Sequence, residues 1–154
     1  MSGTNHSDTI LKTIVLISCV SKKKAGKQPA CNLYGGPLFS SSWEYAKNLK
    51  PDFIHIMSAK YGLIDYKEVI EPYDVTLNDM DKETIQVWSD KVFEDLKSKY
   101  DIEKTKFIIL AGKNYYSGFI DKLPHIELPL GSLPIGKRVQ YLQNLNKKYN
   151  QGLL

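Results

Sequence analysis

Four short segments of the sequence combine small residues, hydroxyls and cations. They are Ser18-Cys19-Val20-Ser21-Lys22-Lys23-Lys24, Ser58-Ala59-Lys60-Tyr61-Gly62-Leu63, Ala111-Gly112-Lys113-Asn114-Tyr115-Tyr116, and the run from Pro129 through Gly131 and Gly136 to Lys137-Arg138. Small residues let backbone N–H groups come close to an anion, and lysine or arginine supplies charge. Anion binding is therefore the chemistry these segments suggest. None matches GxxxxGK[ST] or GxGxxG, which disfavours an ordinary ATPase or a dinucleotide enzyme.

Further candidates lie close by. Cys19, among lysines, is a candidate nucleophile, with a small packed residue as the alternative. His55 and His125 fall within or at the start of apolar runs and read as structural. With three histidines, two cysteines and no CxxC, HxxxH or HExxH spacing, no metal site and no cofactor is expected, and Cys31 reads as incidental. The carboxylate of Pro72-Tyr73-Asp74 is a candidate general base or ribose ligand, or else belongs to a turn after proline. Glu68 and Glu71 are reserve carboxylates that read as solvated surface. Tyr61, Tyr73, Tyr115 and Tyr116 could stack on a nucleobase beside a phosphate, or simply pack.

The elements that must position these residues follow from apolar periodicity. Thr13–Ser18, Phe53–Met57 and Phe107–Ala111 are short apolar, β-rich runs expected of strands covered on both faces, and His125–Leu128 reads as a shorter fourth. Helices are expected over Pro37–Leu49, from an Asp81 cap through Ile85, Trp88, Val92 and Leu96, over Asn114–Leu123, and over Ile135–Tyr149. Ile135, Val139, Leu142 and Leu145 form the expected inner face of the last helix. Residues 22–29 read as a polar loop, and residues 58–80 show no periodicity. Strands alternating with helices imply an α/β fold: one three-layer domain over residues 11–154, with a mainly parallel sheet of about four core strands flanked by helices. Residues 1–10 read as a flexible tail. Ligands of such sheets bind beyond the carboxyl ends of the strands, which is where the four segments fall.

Composition is consistent with this. The 154 residues are 42% hydrophobic and 25% charged, as in ordinary globular domains. No apolar run approaches the roughly 20 residues of a membrane span, and the polar N-terminus lacks a signal-peptide core, so a cytoplasmic protein without membrane partners is expected. The net charge of +4 is unevenly spread: +5 over residues 1–60, −7 over 61–103 and +6 over 104–154. Basic outer segments suit a phosphate or nucleic-acid partner, unless both signs mix on the surface. Arg138 is the one arginine among 21 basic residues.

The motifs also carry a family resemblance. The order Cys19-x-x-Lys22-Lys23, Pro29-Ala30-x-x-Leu33-Tyr34-x-x-x-Leu38-Phe39, Ser58-Ala59-Lys60-Tyr61-Gly62-Leu63 and Pro72-Tyr73-Asp74-x-Thr76-Leu77 resembles a small bacterial and phage domain of unassigned function. That domain is similar to part of the YaaA peroxide-stress family. Ala111-Gly112 and Leu130-Gly131-x-x-x-Ile135-Gly136-x-Arg138 fit the same pattern, which runs from about residue 14 to residue 142. The resemblance implies an association with DNA binding, protection against oxidative damage, or nucleic-acid base modification.

Two main readings result. One is an enzyme acting on a nucleotide or nucleobase, cleaving or exchanging an N-glycosidic bond. Its catalytic pair would be Asp74 and Lys60, and Asp74 would orient water or a sugar hydroxyl. Ser18, Ser21, Lys22 and Lys60 would hold phosphate, Arg138 would clamp an anion, and Tyr61 or Tyr115 would stack on the base. Cys19, Ser58, Gly62, Tyr73 and Gly112 would complete the binding surface. The other reading is a non-catalytic module binding a nucleotide or a nucleic acid such as DNA, in a stress or phage-related system. A redox sensor built on Cys19 is a third.

Overall fold

The computed structural model describes residues 9–20, 23–131 and 133–152. The expected tail, residues 1–10, lies outside them except for its last two residues.

The sheet is built on β1 (Lys12–Ser18), whose Ile14, Val15, Leu16 and Ile17 are all buried. Parallel neighbours flank it: β3 (Phe53–Ser58) pairs with Ile14–Ser18, and β6 (Thr105–Leu110) pairs with Lys12–Ile17. A two-residue parallel strand, β7 (Ile126–Glu127), extends the sheet beyond β6. The fifth strand, β4 (Gly62–Asp65), lies antiparallel on β3 at the opposite edge, giving the order β4-β3-β1-β6-β7. Strands covered by helices on both faces need apolar side chains on both, which explains the continuous apolar runs of β1 and β6.

The chain passes from β1 to β3 through α1 (Ala30–Leu33) and α2 (Pro37–Asn48), and then returns past β1 to β6 through α3 (Lys82–Lys99). These crossovers run in opposite directions, so the right-handed rule puts α2 and α3 on opposite faces. The closing helix, α4 (Ile135–Asn150), packs on α2. Buried Asn146 ties the two: it accepts from Asn48 Nδ2 at 3.1 Å and donates to the Ser41 carbonyl at 3.1 Å. The result is the expected three-layer α/β fold. Asp81 caps α3 as read, its carboxylate accepting the Thr84 N–H at 2.8 Å. Among the described residues no helix is long and apolar enough to cross a membrane.

Four local expectations are corrected. Residues 58–80 are not wholly irregular. Ser58 Oγ accepts the N–H groups of Lys60 and Tyr61, at 3.2 and 3.0 Å, and this turn folds Gly62–Asp65 back as β4. A four-residue strand is too short to show periodicity. In the same way, the tip of the polar loop, β2 (Gln28–Pro29), pairs antiparallel with β5 (Val69–Ile70). Residues 114–123 form two separate 3-10 turns, Lys113–Tyr115 and Ile120–Lys122, rather than one helix. Gly118 explains this. Its carbonyl accepts from Gln86 Nε2 on α3 at 3.2 Å, while the Lys122 N–H that an α-helix would send to it goes to Phe119 instead. The glycine is pressed so closely on Ser89 that any Cβ there would overlap the Ser89 side chain. Finally, on α4 Leu142 is fully buried, but Ile135 is 66% exposed.

Candidate functional site

The crossovers lead to opposite sides of β1, to β3 and then to β6, and this leaves a gap at the carboxyl ends of β1 and β6, the topological switch point where α/β sheets bind ligands. A cleft of about 540 Å³ occupies that gap, within the range of roughly 300–1,000 Å³ usual for small-molecule sites. Its floor is made by Ser18 at the end of β1 with Cys19 and Val20 just after it, and by Gly112 and Tyr115 after β6. The amino ends of α2 and α4 form part of its walls.

Those helix ends carry the electrostatics. The N-cap residues are Gly36 and Pro134, neither of which has a side chain able to accept a hydrogen bond. Pro37 has no N–H, and the Lys137 N–H bonds the Pro134 carbonyl at 2.9 Å. The N–H groups without a side-chain cap at the positive ends of the two helix dipoles are thus those of Leu38 and Phe39 on α2 and of Ile135 and Gly136 on α4. Gly36 has φ of 91° and ψ of 162°, a backbone that favours glycine, and it brings the chain directly into Pro37 at the first position of α2. Arg138, one turn into α4, is half-buried and also lines the cleft. Its Nε donates to the Leu133 carbonyl at 3.0 Å, fixing the guanidinium plane. A Cβ on Gly112 would lie 3.3 Å from Arg138 Nη1, so glycine makes room for the guanidinium against the end of β6. Lys113 is the second cation of the wall, and no described lining residue is a carboxylate or a histidine.

Five of the residues singled out in the sequence meet here: Ser18, Cys19, Gly112, Tyr115 and Arg138. Tyr115 is only 7% exposed, with its hydroxyl 3.4 Å from Cys19 Sγ and its ring edge-on to Trp88, so it offers little free face for stacking. Ser21 and Lys22 lie outside the described residues. The remaining candidates do not line the cleft. Lys60 is exposed beside the Tyr61 ring, 5.3 Å from its centroid, and Gly62 opens β4 with φ of 75°. The end of β3 is two strand spacings, about 10 Å, from the end of β6, and the turn into β4 leads the chain toward the sheet's outer edge.

Ser58 and Tyr73 instead form a closed cluster. Ser58 Oγ donates to Tyr73 Oη at 2.8 Å, and the hydroxyls of Tyr73 and Tyr34 lie 2.5 Å apart. Lys23 Nζ lies 4.2 Å from the Tyr73 ring centroid. Burial pushes the Tyr34 hydroxyl up to about 12 and raises those of Tyr73 and Tyr115 as well. All three are protonated at neutral pH and act as hydrogen-bonding groups rather than bases. With Tyr73 turned inward, Asp74 faces outward and is exposed; the wall of the cleft is joined by the next two residues, Val75 and Thr76.

A family model described as a family of unknown function, DUF6884, matches residues 14–144. The chain belongs to that family. The match begins within β1 and ends within α4, so every described wall of the cleft falls inside the DUF6884 unit. No curated protein matches the chain, and no solved structure matches it.

Sequence reasoning missed the Gly35-Gly36-Pro37 entry to α2 as a site element, and with it Thr76 and Asn78. The first carried a readable signal, since paired glycines before a proline-led helix mark an uncapped amino terminus. Thr76 stands in the Pro72-Tyr73-Asp74-x-Thr76-Leu77 motif without being marked there as a site residue, and Asn78 carried no signal, because it sits in a stretch without periodicity. The histidines are structural as read. His55 Nδ1 donates to the Ile64 carbonyl at 3.2 Å and Nε2 accepts from Tyr100 at 2.5 Å, while His125 Nε2 lies 3.0 Å from the Glu103 carbonyl. Among the described residues no three His, Cys, Asp or Glu side chains come together as a metal site.

Proposed function

We propose that the cleft between β1 and β6 binds a phosphate-bearing small molecule of the nucleotide class, and that the protein acts as a binding module. The observation carrying this reading is the convergence of two helix amino ends with glycine and proline N-caps on a cleft that also holds Arg138 and Lys113 and no described carboxylate. Backbone N–H groups at positive dipole ends take phosphate oxygens, and the guanidinium offers paired donors to the same group. Both cations come from the basic C-terminal segment, residues 104–154, while among the described lining residues the acidic middle segment contributes only Val75, Thr76 and Asn78.

Cleavage of an N-glycosidic bond is the second reading. It needs a carboxylate to steady an oxocarbenium-like sugar, and the exposed Asp74 does not line the cleft. Binding therefore has the better support. The motif resemblance to YaaA-type proteins is compatible with a nucleic-acid-related ligand and adds nothing more specific.

The test is calorimetric titration of inorganic phosphate, ribose 5-phosphate and the four ribonucleoside monophosphates into the wild type and Arg138→Ala. Hydrogen bonds to charged groups contribute about 1.5–3 kcal/mol, so Arg138→Ala should weaken binding by roughly 10- to 100-fold. Absence of binding by every phosphate compound, or equal affinity in the variant, overturns the proposal.

A further inference from the structure

The wall of the cleft after β6 carries a feature that phosphate binding does not require. Asn114 Nδ2 donates to Asn78 Oδ1 at 3.0 Å, and both side chains line the cleft. The two residues come from different 3-10 turns, Leu77–Asp79 and Lys113–Tyr115. Each turn is pinned. Leu77 is fully buried and Tyr115 nearly so, Thr76 Oγ1 accepts the Asn78 N–H at 3.3 Å, and the Tyr115 N–H reaches the Gly112 carbonyl at 3.0 Å. The amide pair is therefore held from both sides before any ligand arrives.

One hydrogen bond between two side-chain amides uses one donor and one acceptor. A carboxamide has two N–H donors and one oxygen acceptor, so after this bond the pair keeps three N–H donors and one uncommitted oxygen. The same set remains whichever amide donates. Donor and acceptor thus stand side by side, the arrangement that asparagine and glutamine use to read the edge of a heterocyclic base. The cleft also has apolar surface that a planar ring would cover: Ile135 is 66% exposed and Val75 37%. A phosphate offers acceptors and no apolar face, so the amide oxygen and the apolar surface go unused by a bare phosphate.

Resting on the anion-cleft reading, we infer that the ligand bears a nucleobase and that the Asn78–Asn114 pair recognises its edge, with Val75 and Ile135 against the ring. The pair is the specificity determinant of the cleft, and Arg138 with the helix ends is its anchor.

The same ligand series separates the two claims. At least one nucleoside monophosphate should bind the wild type 10-fold or more tighter than ribose 5-phosphate. Asn78→Ala and Asn114→Ala should each reduce that margin to threefold or less, leaving the affinity for ribose 5-phosphate within twofold. Asn114→Asp removes the donor that holds Asn78 and adds a negative charge, and should weaken every phosphate ligand while changing the order of the four bases. Circular dichroism and a thermal melt establish that each variant is folded. If ribose 5-phosphate binds through Arg138 but the base gives no margin, or the margin survives both alanine variants, the base-reading inference fails and the anion cleft stands. If no phosphate compound binds, both fall.

Discussion

The carboxyl ends of β1 and β3 lie next to each other in the sheet and continue with similar residues, Ser18-Cys19 and Ser58-Ala59. One opens into a cleft and the other is sealed. At the end of β3, Ser58 Oγ is fully buried and engaged three times, by the N–H groups of Lys60 and Tyr61 and by the Tyr73 hydroxyl. The Ser58 carbonyl also accepts from Trp88 Nε1 at 2.9 Å, tying this end to α3. At the end of β1 the chain borders the switch point, with the glycine and proline N-caps of α2 and α4 nearby. Similar side chains therefore have different uses, although Cys19 Sγ is itself buried and engaged, by the Ala59 N–H and the Tyr115 hydroxyl, each at 3.4 Å. Polar groups that satisfy one another inside the fold support stability, and polar groups left facing a cleft are available to a ligand.

Exchanging the two ends in a mutational experiment is the sharpest way to break this contrast. Ser58→Ala leaves the N–H groups of Lys60 and Tyr61 without their acceptor and takes from the Tyr73 hydroxyl one of its two partners, at a cost of about 1–3 kcal/mol. Urea unfolding should show that loss, while affinity for a phosphate ligand stays within twofold of the wild type. Arg138→Ala should do the reverse. A Ser58→Ala variant that loses ligand affinity while keeping wild-type stability would show that the end of β3 belongs to the site after all.

A smaller effect should come from the pH dependence of stability on the β3 side. Burial is the main cause that lowers the pKa of His55 below its ordinary value of 6.5. With Nδ1 donating to Ile64 and Nε2 accepting from Tyr100, the native state holds the neutral ring. As the pH falls below about 6.5, the unfolded chain takes up a proton that the folded chain resists. The stabilisation is complete above that pH and declines as the pH falls toward the lowered native value. Denaturant midpoints measured from pH 8 to pH 5 should fall across this window in the wild type. The decline should be shallower in His55→Gln, which has no titrating ring. Equal slopes in both would place the acid sensitivity elsewhere.

The contrast also explains what the sequence made legible. Apolar runs are a one-dimensional signal, and they located β1, β3, β6 and the helices α2, α3 and α4. The rule that ligands bind at carboxyl strand ends then led to Ser18, Cys19, Gly112 and Tyr115, with Arg138 added from the start of the last helix. The rule could not say which strand ends would be open. That depends on strand order, β3 on one side of β1 and β6 on the other, which is a relation between distant segments. Lys60 and Tyr61 belong to a segment that looks, in sequence, like those lining the cleft. A local turn bonded to Ser58 removes them from it. Asn78 and Asn114 are 36 residues apart and become a pair only in three dimensions.

The smallest effect should come from Asp74, the candidate general base of the Pro72-Tyr73-Asp74 segment. Its neighbour Tyr73 points inward to Ser58 and Tyr34, and Asp74 itself is exposed and absent from the lining of the cleft. Surface substitutions away from special contacts usually change stability by less than about 0.5 kcal/mol. Asp74→Asn keeps the size and shape of the side chain and removes only its charge. In a binding module it should leave both the denaturant midpoint and the affinity for nucleoside monophosphates essentially unchanged, apart from a slight gain at low salt from removing a nearby negative charge. An N-glycosidic enzyme using this carboxylate requires a different result. Nucleoside monophosphates incubated with the wild type would release free base, detected chromatographically, and Asp74→Asn would abolish that release with affinity intact, the pattern expected when an interaction made only in the transition state is lost. Such base release would show that the loop carrying Asp74 turns into the cleft when ligand is bound. It would also make the region after β3 part of the chemistry rather than a sealed neighbour.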